Sequence, residues 1–261
     1  MKDAAIWIMG SKHRQTVLIA ALFLVPFGVV VSMGVATASV LAHGLIGSLS
    51  VLVSSFLILA IAGLVSPPGG VLLALIAAGA LAVSAGAAVG LRRTQALTLT
   101  VQLSLVLGML GLVVFFVVVG DLTAVWLQIF EAWAAQNVPA DLPAEDAKLL
   151  ADSLEEAAAG FTGLVAVGLW LLAVAALALG YFIWDAGKQY SESPFGRFRD
   201  FNMGRSLAIL LLVLAVVVSL LATEGLISDL ARFCSIAFGV HGLARLHWSR
   251  ERWKLPVMAL V

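Results

Sequence analysis

The chain is 261 residues long, 62% of them hydrophobic and only 11% charged, against about 25% charged in an ordinary soluble domain. Too few polar side chains remain to cover a water-facing surface, so the surface is expected to face lipid. The formal net charge is zero, which excludes the basic domain that nucleic-acid binding requires.

The N-terminus carries Lys2, Lys12 and Arg14, and then no Asp, Glu, Lys or Arg occurs from Gln15 to Leu91. A hydrocarbon core about 30 Å thick takes roughly 20 apolar residues per helical crossing. Residues 16–42 make a 27-residue apolar stretch, long for one crossing and short for two. Pro26 and Gly28 can kink it, and His43-Gly44 ends it. It reads either as one kinked span or as a short hairpin or re-entrant pair. It is also too long for a cleavable signal peptide, and more hydrophobic segments follow it. Spans at 48–65 and 71–91 are separated by the turn signal Ser66-Pro67-Pro68-Gly69-Gly70.

Arg92 and Arg93 precede a span at 97–119. An acidic loop, 120–160, follows, with eight acids and one base, Lys148, between Asp121 and Glu156. Within it Leu122, Val125, Trp126, Ile129 and Trp133 recur at helical spacing, predicting an amphipathic helix on the outer membrane face. Pro139 breaks that helix, and Asp141 can cap a second short one with Leu149, Leu150 and Leu154 on one side. Further spans are expected at 161–184, 206–223 and 226–248. The segment from Leu255 reads as the start of a truncated span. The sum is an all-α, polytopic transmembrane helix bundle, one domain of about seven or eight membrane segments.

Charge orients the bundle. The connections 92–96, 185–205 and 245–254 are basic, and the positive-inside rule makes them cytoplasmic and the acidic loop external. Trp126, Trp133, Trp184, Trp248 and Trp253 fall at span ends, where an interfacial belt places them. Lys2, Lys12 and Arg14 argue for a cytoplasmic N-terminus too. That requires an even number of crossings before Arg92, which the hairpin reading of 16–42 supplies; otherwise the N-terminus lies outside.

No motif carries catalysis. There is no Gly-rich phosphate loop ending in Gly-Lys-Ser/Thr, and no Cys pair or His-Glu-x-x-His helix for zinc. No nucleophile stands with its base, so no enzyme activity and no cofactor is expected. Cys234 reads as a small buried hydrophobe. Intramembrane ionisable residues are the default functional candidates, because a charge in lipid is costly. The last full span holds Glu224, Asp229 and Arg232, with Asp229 and Arg232 on one helix face. Arg232 reads as an anion contact or as half of a structural pair. His241, between Gly239 and Gly242, could relay protons, bind a ligand, or hydrogen-bond a neighbouring helix. Two ladders of small residues four apart, Gly34-Ala38-Ala42 and Ala78-Ala82-Gly86-Gly90, suit close helix packing inside the chain or docking of another membrane subunit.

Four segments together carry a resemblance: Trp7-Ile8-Met9 with the basic stretch to Gln15, Leu91-Arg92-Arg93-Thr94, the loop from Ser193-Pro194-Phe195-Gly196 to Phe201, and His241-Gly242-Leu243-Ala244 with His247. The chain resembles the YybS-like family of predicted bacterial membrane proteins, a domain of unknown function grouped with the S-components of energy-coupling-factor transporters. The resemblance implies a helical bundle in the bacterial inner membrane that captures a small molecule. It also implies work with a transmembrane T-component and cytoplasmic ATPases, and Gly34, Ala38 and Ala42 would be the nearest match to the T-component contact. The expected function is therefore a substrate-binding or transport-related subunit of unknown ligand. The alternative is a non-transporting membrane scaffold or regulator.

Overall fold

The computed structural model describes residues 2–65, 70–139, 143–187, 204–221 and 225–253. These are helical throughout, with no strand among them. In chain order they are α1 (Lys2–Met9), α2 (Lys12–Phe23), α3 (Gly28–Val65), α4 (Gly70–Thr94), α5 (Leu97–Val119), α6 (Leu122–Asn137), α7 (Ala144–Gly187), α8 (Arg205–Leu221) and α9 (Leu226–Trp253). Five, α3, α4, α5, α7 and α9, are long and apolar enough to cross a membrane. Leu64, Leu107 and Val117, among many others, are exposed. An apolar surface this extensive is stable only against lipid. The expected truncated span after Lys254 and the loop 193–201 lie outside the described residues.

Five falls short of the seven or eight segments expected from the sequence: α8, where a span was expected at 206–223, is described over only 17 residues, and the rest of the difference has local reasons. Residues 16–42 do not form one rod. α2 ends at Phe23, and Pro26 and Phe27 (φ 63°) turn the chain before α3 starts at Gly28. The Ser32 hydroxyl then donates to the Ile19 carbonyl at 2.8 Å, so α3 runs back along α2. α3 is itself broken at Gly44, whose φ of 74° and ψ of 171° are non-helical. This region is open essentially to glycine alone. Beyond the break the chain reverses again, and Ser48 Oγ donates to the Ser39 carbonyl at 2.9 Å. α2 and residues 28–43 are thus roughly 18 and 24 Å long at 1.5 Å per residue, each shorter than the hydrocarbon core.

The chain packs as two compact units, Met1–Val101 with Leu171–Asp200, and Gln102–Trp170 with Phe201–Val261. In unit 1, α2, both halves of α3 and α4 alternate in direction. Arg92 sits on α4, and its Nη1 donates to the Val40 and Leu41 carbonyls at 3.2 and 3.0 Å. Lys12 Nζ donates to the Gly47 carbonyl at 2.7 Å. A Cβ on Gly187 would lie 3.1 Å from Met9 Cγ. The start of α2, the Gly44 break, the end of α4 and the end of α7 therefore gather at one end of unit 1. At the opposite end Ala20, Phe23, Leu59 and Ala77 form an apolar cluster. Between them, buried hydroxyls are tied to carbonyls: Ser55 to Thr16 and Val51, Ser84 to Ala80. An apolar solvent leaves a hydroxyl no other partner.

Unit 2 departs from the sequence reading at the acidic loop. α6 starts where Asp121 Oδ1 accepts from the Ala124 N–H at 3.0 Å, an N-cap. It stops at Val138, held extended (ψ 136°) before Pro139. No separate second short helix follows. α7 begins at Ala144 and runs 44 residues without interruption, because nothing between Glu145 and Phe161 breaks a helix once neighbours pack on it; Asp141 lies outside the described residues. α6 does not present all its apolar residues outward. Leu122 is buried and Trp126 turns onto α7, while Val125, Ile129 and Trp133 are exposed. Trp184, three residues before the end of α7, is buried; the side chains of Trp248 and Trp253 lie outside the described residues.

Candidate functional site

The charged pair on α9 is built by two helices of unit 2. Gly225, at φ 77°, opens α9, and its carbonyl accepts from the Asp229 N–H at 3.0 Å. Asp229 therefore stands in the first turn, where the helix dipole favours a carboxylate. Its side chain is 1% exposed. It is pressed against the backbone of α7 at Gly163, where any Cβ would collide with its Oδ1. One turn further on, Arg232 Nη1 donates to the Gly160 carbonyl at 3.0 Å and approaches Asp229 Oδ1 at 3.4 Å. A Cβ at Gly160 would collide with that nitrogen. Two glycines three apart on α7 thus receive an acid and a base three apart on α9.

Burial and charge are divided unequally between the two. The Asp229 carboxylate is enclosed, and among the described residues its Oδ2 has no hydrogen-bond partner. The Arg232 side chain is 52% exposed, so the guanidinium reaches past the pair with donors to spare. A buried carboxylate with an idle oxygen beside a half-exposed guanidinium is an anchored cation, suited to reading an anionic group by paired N–H donors.

The surroundings are aromatic and tied by side-chain hydrogen bonds. Trp126 Nε1 donates to the Thr162 hydroxyl at 2.8 Å, between the two receiving glycines. Trp126 and Phe130 pack edge-on to Phe161, with centroids 4.6 and 5.0 Å away. Phe233, next to Arg232, is buried against Trp170 and into the space left by Gly108. Trp170 is held by Ser104, its Nε1 donating at 3.1 Å. Cys234 is buried as a small hydrophobe. Beyond the clasp, α6 and the start of α7 enclose an open groove of about 280 Å³. Leu127, Leu150 and Leu154 line it with the carboxylates of Glu131, Asp152 and Glu155.

The other sequence candidates are placed as follows. His241 lies nine residues along α9 from Arg232, about 13 Å at the helical rise, so it does not join the pair; it is half-buried. Glu224 lies outside the described residues. Gly34 and Ala38 are buried within unit 1: a Cβ on Gly34 would lie 3.0 Å from the Leu179 side chain, and one on Gly180 would lie 2.5 Å from Thr37 Cβ. That ladder is met by the chain's own α7 at Gly34, and of its three residues only Ala42 is exposed. Ala78, Ala82 and Gly86 are exposed on α4, with nothing within 4 Å of a Cβ on Gly86, and Gly90 is half-buried beside Thr100. Among the described residues no three His, Cys, Asp or Glu side chains gather to hold a metal.

Sequence reasoning paired Asp229 with Arg232 but missed what receives them. The signal was present as Gly160-Phe161-Thr162-Gly163, two glycines three apart on one face of α7. It likewise missed the cations that clamp the Gly44 break, since hydrogen bonds between residues 35 to 52 apart leave no local pattern.

No family model, curated protein or solved structure matches this chain.

Proposed function

We propose that this multi-pass membrane protein is a substrate-binding, transport-related subunit that takes a small anionic molecule at Arg232. The supporting observation is the guanidinium anchored by buried Asp229 and the Gly160 carbonyl, with half its surface open. Its resemblance to the YybS-like family, and through it to S-components, is in keeping with this. The implied partners are a T-component and cytoplasmic ATPases, and the subunit itself performs no chemistry. In this reading the membrane is a bacterial inner membrane. The end of unit 1 that carries Lys12, Arg92 and Gly187 is cytoplasmic, and the acidic α6 and start of α7 are outside. α2 with residues 28–43 is a re-entrant hairpin, and counting its two arms with 45–65, α4, α5, α7, α8 and α9 gives eight membrane segments.

The test is thermal stability of the detergent-purified chain against a panel of small carboxylates and phosphates. A ligand that raises Tm for the native chain and fails to do so for Arg232→Gln supports the proposal. A panel without effect, or one acting equally on Arg232→Gln, overturns it. A second reading, a scaffold without transport, is favoured by the uncovered small-residue face of α4. It predicts that Gly86→Leu abolishes function while Arg232→Ala and His241→Ala preserve it, and the opposite pattern would dismiss it.

A further inference from the structure

Every described charge of unit 1 sits near one end: Lys2, Asp3, Lys12, Arg14, Arg92, Arg93 and Asp185. Five are cations and two are anions, and hydrogen bonds hold the cationic side together. Lys12 and Arg92 flank the 40–47 turn by donating to its carbonyls. Arg14 lies over the Trp7 ring, 5.0 Å from its centroid, and donates to the Trp7 carbonyl. The Arg93 side chain is exposed and has no hydrogen-bond partner among the described residues. Helix ends account for part of this charge, since Arg92 neutralises the carbonyls at the C-terminus of 28–43. They do not account for Arg93, nor for the remaining N–H groups of Lys12 and Arg14.

The same turn carries an apolar surface. Leu45, Ile46 and Leu49 are 43, 85 and 47% exposed, immediately after the Gly44 break that Arg92 clamps. Trp7 is half-exposed on the short helix α1, as a residue at the headgroup level is placed. Cations edged by exposed aliphatic side chains match a molecule with an anionic head and an apolar tail. A free phosphate would use the cations and leave the aliphatic groups uncovered.

We propose that this end of unit 1 is a binding site for an anionic phospholipid, its phosphate between Arg93, Lys12 and Arg14 and its acyl chains against Leu45, Ile46 and Leu49. The proposal uses the topology given above and is independent of any ligand at Arg232. The site anchors the 40–47 turn in the leaflet it faces, and so fixes the base of the hairpin formed by α2 and residues 28–43.

The experiment is native mass spectrometry of the delipidated full chain in detergent, titrated separately with phosphatidylglycerol and phosphatidylcholine. Phosphatidylglycerol should be retained and phosphatidylcholine should not. Arg93→Gln and Arg14→Gln should each weaken retention about fivefold, the usual contribution of one cation near an anionic membrane surface. Arg93→Lys should keep most of it, and Arg232→Gln should leave it unchanged, which separates this site from the proposed ligand site. Unaltered elution and helical circular dichroism show that the variants fold. Equal retention of the two lipids, or indifference to Arg93→Gln and Arg14→Gln together, would overturn the proposal. So would full displacement of phosphatidylglycerol by excess inorganic phosphate.

Discussion

Placing a methyl group at Gly163 should damage the protein, although alanine is the better helix former. A Cβ there would meet the Asp229 side chain at Oδ1, with Cγ 2.7 Å and Cβ 2.9 Å away. Asp229 cannot swing aside, because it is 1% exposed and paired with Arg232. α7 and α9 must therefore part by several tenths of an ångström, at a cost of about 1–3 kcal/mol for overpacking. Against this stands a helix-propensity gain of up to about 1 kcal/mol for Gly→Ala. The net expectation is a loss of roughly 1–2 kcal/mol, or a Tm lower by some 2–8 °C for a chain of this size. The control is Gly86→Ala on α4, where a Cβ meets nothing within 4 Å; there the propensity gain acts alone, and Tm should hold or rise. Both are read by thermal unfolding in one detergent. Repeating Gly163→Ala in an Asp229→Ala background should cost less, since two of the three colliding atoms, Oδ1 and Cγ, are gone and only Cβ remains. If Gly163→Ala matched or exceeded the native chain in stability, the close approach of α9 to α7 would be refuted.

Three further outcomes follow from the same geometry. Gly44→Ala puts a side chain at φ 74°, ψ 171°, 3.4 Å from Arg92 Nη1, and should cost about 1–3 kcal/mol in thermal unfolding; an unchanged Tm would refute the break. Trp126→Phe keeps the packing on Phe161 but deletes the bond to Thr162. It should cost about 1 kcal/mol and should loosen α6, read as faster proteolysis within the 120–160 loop. For sidedness, Cys234 is buried, so cysteines introduced singly as Glu145→Cys and Arg93→Cys can be probed in intact cells. A membrane-impermeant maleimide should reach the first and not the second; labelling of both, or of position 93 alone, would reverse or dismiss the topology.

The membrane character of the chain was legible from composition alone, because a surface starved of charge admits only one solvent. The turn at 66–70, the end of α6 at Pro139 and the pairing of Asp229 with Arg232 were also local. Each depends on residues within a few positions of one another, where backbone rules and helical spacing operate. The stretch 16–42 marks the limit of such reasoning. Its length fitted neither one crossing nor two, and the sequence left a kink and a hairpin both open. The choice rests on Ser32 reaching Ile19 and on Lys12 and Arg92 reaching carbonyls around Gly44, contacts between segments up to about 50 residues apart. The fate of the small-residue ladders was decided in the same way. Gly34 is covered by α7 and Ala38 is buried, while Ala78, Ala82 and Gly86 are left bare, although the spacing is the same in both. Periodicity states that a helix has a face suited to close approach. Only the packed structure determines which helix takes it up, because that depends on free-energy differences among many near-equivalent apolar surfaces, and no single segment encodes them.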